Sequence, residues 1–170
     1  MSKVDRYNPT RMFNQGCAFC DIAELCIKEP NAFKERTQSH FIGGLVNSLL
    51  ACEIFMKTII VIKDKNEKPR GHDLTSLWKQ IKELDDDLTK NIEFEIKYIY
   101  NSKNDNLFND ILTVCKNQFK EIRYIYELDS IKCDANFIMI LRKNFKKCMW
   151  RRIKKCKRQI LGVIYLWDCL

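Results

Sequence analysis

The longest apolar stretch of the chain covers residues 41–62, and it limits the possible folds more than any other feature. A run of this length could cross a membrane, but it contains Asn47, Glu53 and Lys57, and such groups are costly at membrane depth. The helix that it predicts is apolar on nearly all sides, which is typical of the central helix of a soluble domain. Glu53 and Lys57 are one helical turn apart and can pair on its polar strip. We therefore predict a buried core helix and no transmembrane segment.

The rest of the chain also favours helices. It has only 5 Gly and 3 Pro, whereas sandwiches and barrels need many turns that use these residues. Apolar residues recur at helical spacing in residues 11–28, 74–81, 107–128 and 135–158, and less clearly in 88–100, where FEIKYIY also has strand propensity. These patterns predict an all-α, up-and-down bundle of about five helices with a basic C-terminal helix. We expect an N-terminal arm (1–10), one helical domain (11–158) and an apolar tail (159–170).

Local signals mark where some of these helices begin and end. Ser39 is a candidate N-cap for the central helix, and Asp73 is one for the helix that follows Gly71-His72. Pro30 predicts that the first helix ends just before it, because the residue preceding a proline avoids helical backbone angles.

The positive charge of the chain is concentrated near its C-terminus. The formal net charge is +8, and residues 142–158 hold ten Lys or Arg and no acid, so the remainder carries −2. Such a segment suits phosphate groups, and a tryptophan within it can stack on a base. The candidate nucleic-acid contacts are Arg142, Lys146, Lys147, Trp150, Arg151, Arg152 and Lys155. Two other interpretations stay open: a solvated face of a helix that packs through its apolar residues, or a face that binds a membrane surface.

The nine cysteines predict an intracellular protein rather than a disulfide framework. Their number is odd, the N-terminus has no secretory signal, and several cysteines lie at helical spacing among apolar residues. They are expected to be small buried hydrophobic residues in a reducing cytoplasm. Cys17 and Cys20 form a single CxxC without a second ligand pair, so we expect no metal site and no cofactor.

Three stretches of the sequence together resemble HEPN domains. FIGGLVNSLLACEIFMKTIIV resembles their second helix, GHDLTSLW resembles a Gly-His-Asp-Leu motif that follows it, and FKEIRYIYE resembles an aromatic-flanked Arg-Tyr…Glu stretch on a later helix. The order and spacing also fit, and the resemblance covers residues 10–145. It implies a helical bundle that commonly dimerises. It also implies a prokaryotic toxin–antitoxin, phage-defence or nucleotidyltransferase-associated setting, in which the partner is a cognate antitoxin or a nucleotidyltransferase.

Many HEPN proteins are metal-independent ribonucleases, in which a histidine moves a proton and an arginine stabilises the charged phosphorane. Their signature, an arginine followed by four to six residues and a histidine, is absent from this sequence. A ribonuclease would have to use another pair, and Arg123 with His72 is the candidate catalytic pair. The alternative is that His72 only supports the entry of the next helix.

Three functions follow from these observations. The leading hypothesis is a cytoplasmic HEPN-like domain that binds RNA or a partner protein in a defence or stress module. The second is an endoribonuclease that uses His72 and Arg123, and the third is a structural dimerisation module. Across the bundle, Glu53, Lys57 and Glu127 could form a polar pocket with Arg123, or Arg123 and Glu127 could pair with each other on one helix.

Overall fold

The structure is a computed structural model that describes residues 7–28, 37–64, 69, 71–115, 122 and 134–165, with the backbone alone described for 37–39 and 152–165. These residues form six α-helices and no strand, which confirms the all-α prediction. The helices are α1 (Pro9–Lys28), α2 (Thr37–Lys63), α3 (Leu74–Leu84), α4 (Asp86–Ile99), α5 (Leu107–Cys115) and α6 (Ala135–Tyr165).

Helix α2 is the centre of the bundle, as its apolar sequence predicts. It contacts α1, α3 and α6, and Cys52, Phe55 and Met56 are fully buried. Among the described residues, His40–Lys63 is the helical segment long and apolar enough to cross a membrane, and 67% of its most apolar window is buried inside the protein. Because α2 is apolar on nearly all sides, it is stable in water only when other helices cover it, and three helices do so here.

Helices α1 and α2 are antiparallel. Gly44, near the start of α2, lies against Ile27, near the end of α1, and Phe55 of α2 lies against Gly16 of α1. Helix α6 is also antiparallel to α1, because Arg142 reaches the carbonyl oxygen of Cys20 while the ring of Trp150 lies beside that of Phe13. Each of these three helices contacts the other two, and α1 runs antiparallel to both of its neighbours.

Aromatic side chains join α3 and α5 to α6. The ring centroids of Trp78 on α3 and Phe108 on α5 are 4.5 Å apart, and Trp78 is 6.1 Å from Phe145 on α6. Phe108 also contacts Phe137 at 5.4 Å, edge to face. Such pairs contribute about 0.5–1.5 kcal/mol each beyond the area they bury.

The boundaries of several elements differ from the sequence-based expectations. Helix α2 begins at Thr37, so Ser39 lies inside its first turn and is not its N-cap. The segment with strand propensity is helical in α4, because Ile92 and Ile96 are buried one turn apart and Asp85 caps the N-terminus. Helix α6 continues to Tyr165, past the predicted boundary between domain and tail.

The helix predicted for residues 107–128 is described only in part. Its first section is α5, and Ile122 is helical and buried. Residues 116–121 and 123–133 lie outside the described part of the chain.

Candidate functional site

One face of α6 combines positive charge with an exposed aromatic ring. Lys143, Lys146, Lys147 and Trp150 follow the i, i+3, i+4, i+7 spacing that places side chains on one side of a helix. Together with Cys17 of α1 they line an open groove with a volume of about 390 Å³. We call this surface the α6 groove. Its basic side chains come from α6, and the thiol comes from α1.

Trp150 is positioned partly by α1 and partly left to solvent. Its ring centroid is 6.1 Å from that of Phe13, with the ring planes tilted by 33°. Phe13 is itself buried and also contacts Phe55 of α2 at 5.8 Å. Trp150 nevertheless keeps 52% of its surface exposed. The core therefore fixes one side of the indole, and about half of the side chain lies at the surface.

The cations around the groove differ in their partners. Lys146 Nζ lies 2.8 Å from Asp21 Oδ1, and Lys147 Nζ lies 3.9 Å from Glu95 Oε1. Burial lowers the pKa of Lys146, but the hydrogen bond to Asp21 and its charge raise that pKa more, so the net shift is upward. Lys143 and Arg151 are exposed, and neither forms an ion pair with another described residue.

The thiol of Cys17 makes its part of the groove uncharged. Burial raises the pKa of this thiol, although the charge of Lys146 acts in the opposite direction. A neutral thiol with a tryptophan ring beside it forms a surface that accepts an apolar or aromatic group. Lysines surround that surface, so the groove suits a ligand that is both aromatic and anionic.

Arg142 does not belong to this surface, contrary to the sequence-based prediction. Its side chain is 2% exposed and lies between α6 and α1. One guanidinium nitrogen donates to the carbonyl oxygen of Cys20 at 2.8 Å, and another lies 3.6 Å from Glu24. A guanidinium held in this way cannot reach a phosphate, so Arg142 is a core residue that joins two helices.

The other predicted contacts divide into two groups. Lys146, Lys147, Trp150 and Arg151 lie on the described part of α6, whereas for Arg152 and Lys155 only the helical backbone is described. Lys143 lines the groove but was missed by the sequence analysis. Its position seven residues before Trp150 is the signal that could have identified it, since this spacing returns to the same side of a helix.

A second group of polar side chains meets on α2, at the buried carboxylate of Glu53. Its Oε1 atom accepts a hydrogen bond from Lys57 Nζ at 2.8 Å and lies 3.0 Å from His72 Nδ1. The Glu53 side chain is only 7% exposed, and Oε2 is buried without a hydrogen-bond partner among the described residues. We call these three residues the Glu53 cluster.

The loop before α3 holds His72 in this position. Gly71 has φ of +78°, a left-handed conformation that glycine adopts readily. Asp73 then caps α3, as predicted, by accepting from Thr75 N at 2.9 Å. His72 lies between these two features with 73% of its side chain exposed. The imidazole therefore has one nitrogen on a buried carboxylate and most of its ring at the surface.

The Glu53 cluster differs in composition from the predicted sites. Glu53 and Lys57 were assigned to a polar pocket and His72 to a catalytic pair, and the structure brings all three together. Arg123 and Glu127, the other members of those predicted sites, lie outside the described residues. Only a weak signal in the sequence indicated the contact with His72. Glu53 is the one acid in a long apolar run, so it needs more than one partner, but the sequence does not say which residues these are.

Within the described part of the chain, no group of three or more His, Cys, Asp or Glu side chains is arranged to hold a metal ion. Cys17 lines the α6 groove, while Cys20 is buried, and both are free thiols.

Comparisons with protein-family models, with curated proteins and with solved structures found no match to this chain.

Proposed function

We propose that this protein is a HEPN-like helical domain that binds RNA through the basic face of α6. The observation that carries the proposal is the α6 groove, in which lysines surround a half-exposed tryptophan and a neutral thiol. The lysines supply contacts to phosphate that do not depend on sequence, and the indole supplies a surface for stacking.

The distribution of charge also favours a polyanion. Residues 142–158 contain no acid, and the two described acids that pair with groove lysines, Asp21 and Glu95, belong to α1 and α4. Asp21 holds Lys146 by a 2.8 Å contact, so a phosphate must compete for that lysine. Lys143 and Arg151 form no ion pair with a described residue, so none of the described acids competes for them. We therefore expect these two residues to contribute most of the salt-dependent affinity.

A salt titration with matched charge reversals tests this proposal. Wild-type protein should bind a short labelled single-stranded RNA with affinity that falls steeply as salt rises. The double variant Lys143→Glu/Arg151→Glu should bind more weakly, with a salt slope smaller by about 0.7 for each phosphate that is no longer neutralised. The control Lys79→Glu/Lys103→Glu changes the net charge equally, at exposed positions on α3 and on the loop before α5. Equal losses of affinity in both double variants, or no RNA binding by the wild type, would overturn the proposal.

A second candidate function is a metal-independent endoribonuclease, and the hydrogen bond between Glu53 and His72 favours it. If the Nδ1 atom that faces Glu53 carries the proton, Nε2 is the ring atom with a lone pair that can act as a base. His72 would accept the proton of a ribose 2′-hydroxyl, and O2′ would attack the adjacent phosphorus. The bond to the 5′-oxygen would then break, with that oxygen taking a proton from water. Glu53 would act as a positioning residue that stabilises the imidazolium.

Replacing His72 by asparagine separates this chemistry from a structural role. The amide of His72→Asn can still donate to Glu53, but it cannot carry the proton. If His72 is the base, labelled RNA incubated with a chelator is cleaved by the wild type and by neither His72→Asn nor His72→Ala. Cleavage that persists in His72→Asn would show that the residue only anchors the loop. Arg123→Ala tests the predicted partner in the same assay.

The proposed HEPN relationship has one further support. Two of the three stretches that carry the resemblance, on α2 and at the start of α3, are joined by the hydrogen bond between Glu53 and His72. A homodimer and a toxin–antitoxin setting stay predictions. Sedimentation over a range of protein concentrations tests the dimer, and an adjacent gene for a nucleotidyltransferase would support the setting.

A further inference from the structure

We propose that the α6 groove holds one unpaired nucleobase stacked on Trp150, so that the protein prefers single-stranded RNA to duplex RNA. This inference rests on the proposed RNA binding and adds the form of RNA that is recognised.

The dimensions and surface of the groove suit a single aromatic ring system. Its volume of about 390 Å³ lies near the lower end of the range of roughly 300–1,000 Å³ found for small-ligand sites. Trp150 supplies a flat surface that is half exposed, and Phe13 supports it from the core. Because burial raises the pKa of the Cys17 thiol, that thiol adds no negative charge that would repel the phosphates beside the base. A pocket of this kind can receive one base, and it is too small to receive a helix.

The lysines around the groove are placed to contact the phosphates on either side of that base. Lys143 precedes Trp150 by seven residues, about 10 Å along the helix axis. Lys146 and Lys147 lie between them on the same face. A base stacked on the indole would leave its sugar–phosphate backbone beside this face of α6, within the reach of the long lysine side chains. This arrangement combines stacking with backbone contacts, as in sites for single strands.

Duplex RNA cannot use the tryptophan in this way. In an A-form helix the bases are stacked on one another inside the helix, and proteins reach mainly phosphates and 2′-hydroxyl groups. A duplex would therefore contact the lysines and leave the indole unused. The preference for single strands thus depends on Trp150, whereas the salt dependence comes from the cations. The two contributions to affinity can be measured separately.

The experiment uses three labelled RNAs of equal length: a single strand, the same strand with several central abasic nucleotides, and a duplex. Wild-type protein should bind the abasic strand and the duplex about 5- to 150-fold more weakly than the intact strand, the range expected for stacking of one base on an aromatic side chain. Trp150→Leu should bind the intact strand as weakly as the wild type binds the abasic one, with an unchanged salt slope. In Trp150→Leu the abasic nucleotides should have no further effect. Trp150→Phe, which keeps an aromatic ring, should retain most of the preference.

Failure of this inference can be distinguished from failure of the proposed function. Equal, salt-dependent affinity of the wild type for all three RNAs would overturn the base pocket and leave RNA binding intact. Absence of salt-dependent binding to any of them would overturn both. Because the wild type alone is tested on intact and abasic strands, the result holds even if Trp150→Leu lowers stability by removing the ring that packs against Phe13.

Discussion

At the scale of single residues, the carboxylate of Glu53 is a buried acidic group that depends on its neighbours. A buried charge is tolerated when cations and hydrogen bonds surround it, and Lys57 and His72 supply both at one oxygen. The second oxygen, Oε2, is buried with no hydrogen-bond partner among the described residues, so the cluster depends strongly on the partners it has. Lys57 is the more important of the two for stability, because it lies on the same helix and is largely buried.

Replacing Lys57 by methionine tests this dependence. Methionine keeps most of the volume but leaves the buried carboxylate without its cation, so the free energy of unfolding should fall by about 1–3 kcal/mol. Urea denaturation followed by circular dichroism measures the change. The control Lys79→Met removes an exposed lysine of α3 and should change stability by less than about 0.5 kcal/mol. Equal stability of Lys57→Met and the wild type would contradict this interpretation.

Tyr100 provides a prediction of pH dependence. Its hydroxyl donates to the carboxylate of Asp134, which lies at 3.0 Å and also caps α6 by accepting from Phe137 N. Burial, and then this hydrogen bond and the charge of Asp134, raise the pKa of Tyr100 well above its usual value. The folded state therefore favours the neutral phenol. Its contribution to stability is complete below the unfolded-state pKa of about 10 and is lost as the pH rises above that value.

Comparison with Tyr100→Phe isolates this contribution. The wild type should be more stable than Tyr100→Phe by about 1–2 kcal/mol near neutral pH, because the hydrogen bond goes to a charged group. The difference should shrink between about pH 10 and pH 11, since the unfolded state then gains by releasing the phenolic proton. Thermal unfolding of both proteins across this range gives the result. A difference that does not vary with pH would mean that the hydroxyl is not held as described.

At the scale of elements, the closest packing is between α1 and α2. A Cβ atom added at Gly16 would lie 2.5 Å from Phe55 Cε1, whereas one added at Gly43 would lie 3.9 Å from Cys26 Sγ. Phe55 is fully buried and contacts Phe13, so it has little room to move. The absence of a side chain at Gly16 is therefore what allows the two helices to approach.

Two alanine substitutions with opposite expected effects test this contact. Gly16→Ala should lower the free energy of unfolding by about 1–3 kcal/mol, the usual cost of overpacking a core. Gly43→Ala meets only ordinary van der Waals contact, so it should raise stability by about 0.5–1 kcal/mol through the higher helix propensity of alanine. Denaturant unfolding measures the free energy of unfolding of both variants relative to the wild type. Stabilisation by Gly16→Ala would show that the helices are less tightly packed than described.

At the scale of the whole molecule, the fold separates buried thiols from a charged surface. Cys20, Cys52 and Cys115 are buried in the shared core. Burial raises the pKa of Cys20 to about 11 and that of Cys52 well above its usual value. The burial of these three thiols confirms the prediction that they are small buried hydrophobic residues. Meanwhile the cations of α6 lie beside Asp21 and Glu95, so the basic segment is partly neutralised only after folding.

Thiol labelling tests the description of the core. Cys20, Cys52 and Cys115 should react with N-ethylmaleimide in the native protein at least about 100-fold more slowly than in denaturant, because reaction requires an opening of the core. Peptide mapping after timed labelling identifies each site. Rapid native labelling of Cys52 would contradict the packing of α2.

The sequence by itself determined the helices and the burial of α2, because the spacing of apolar residues indicates which side of each helix is buried. It also located the basic segment. It did not determine which helices become neighbours: His72 reaches Glu53, and Cys17 joins the lysines of α6, only through packing between elements distant in sequence. Tertiary packing also decided that Arg142 is buried while Lys143 is exposed. Adjacent residues differ by about 100° around a helix axis, and only the position of α1 decides which of the two cations faces the core.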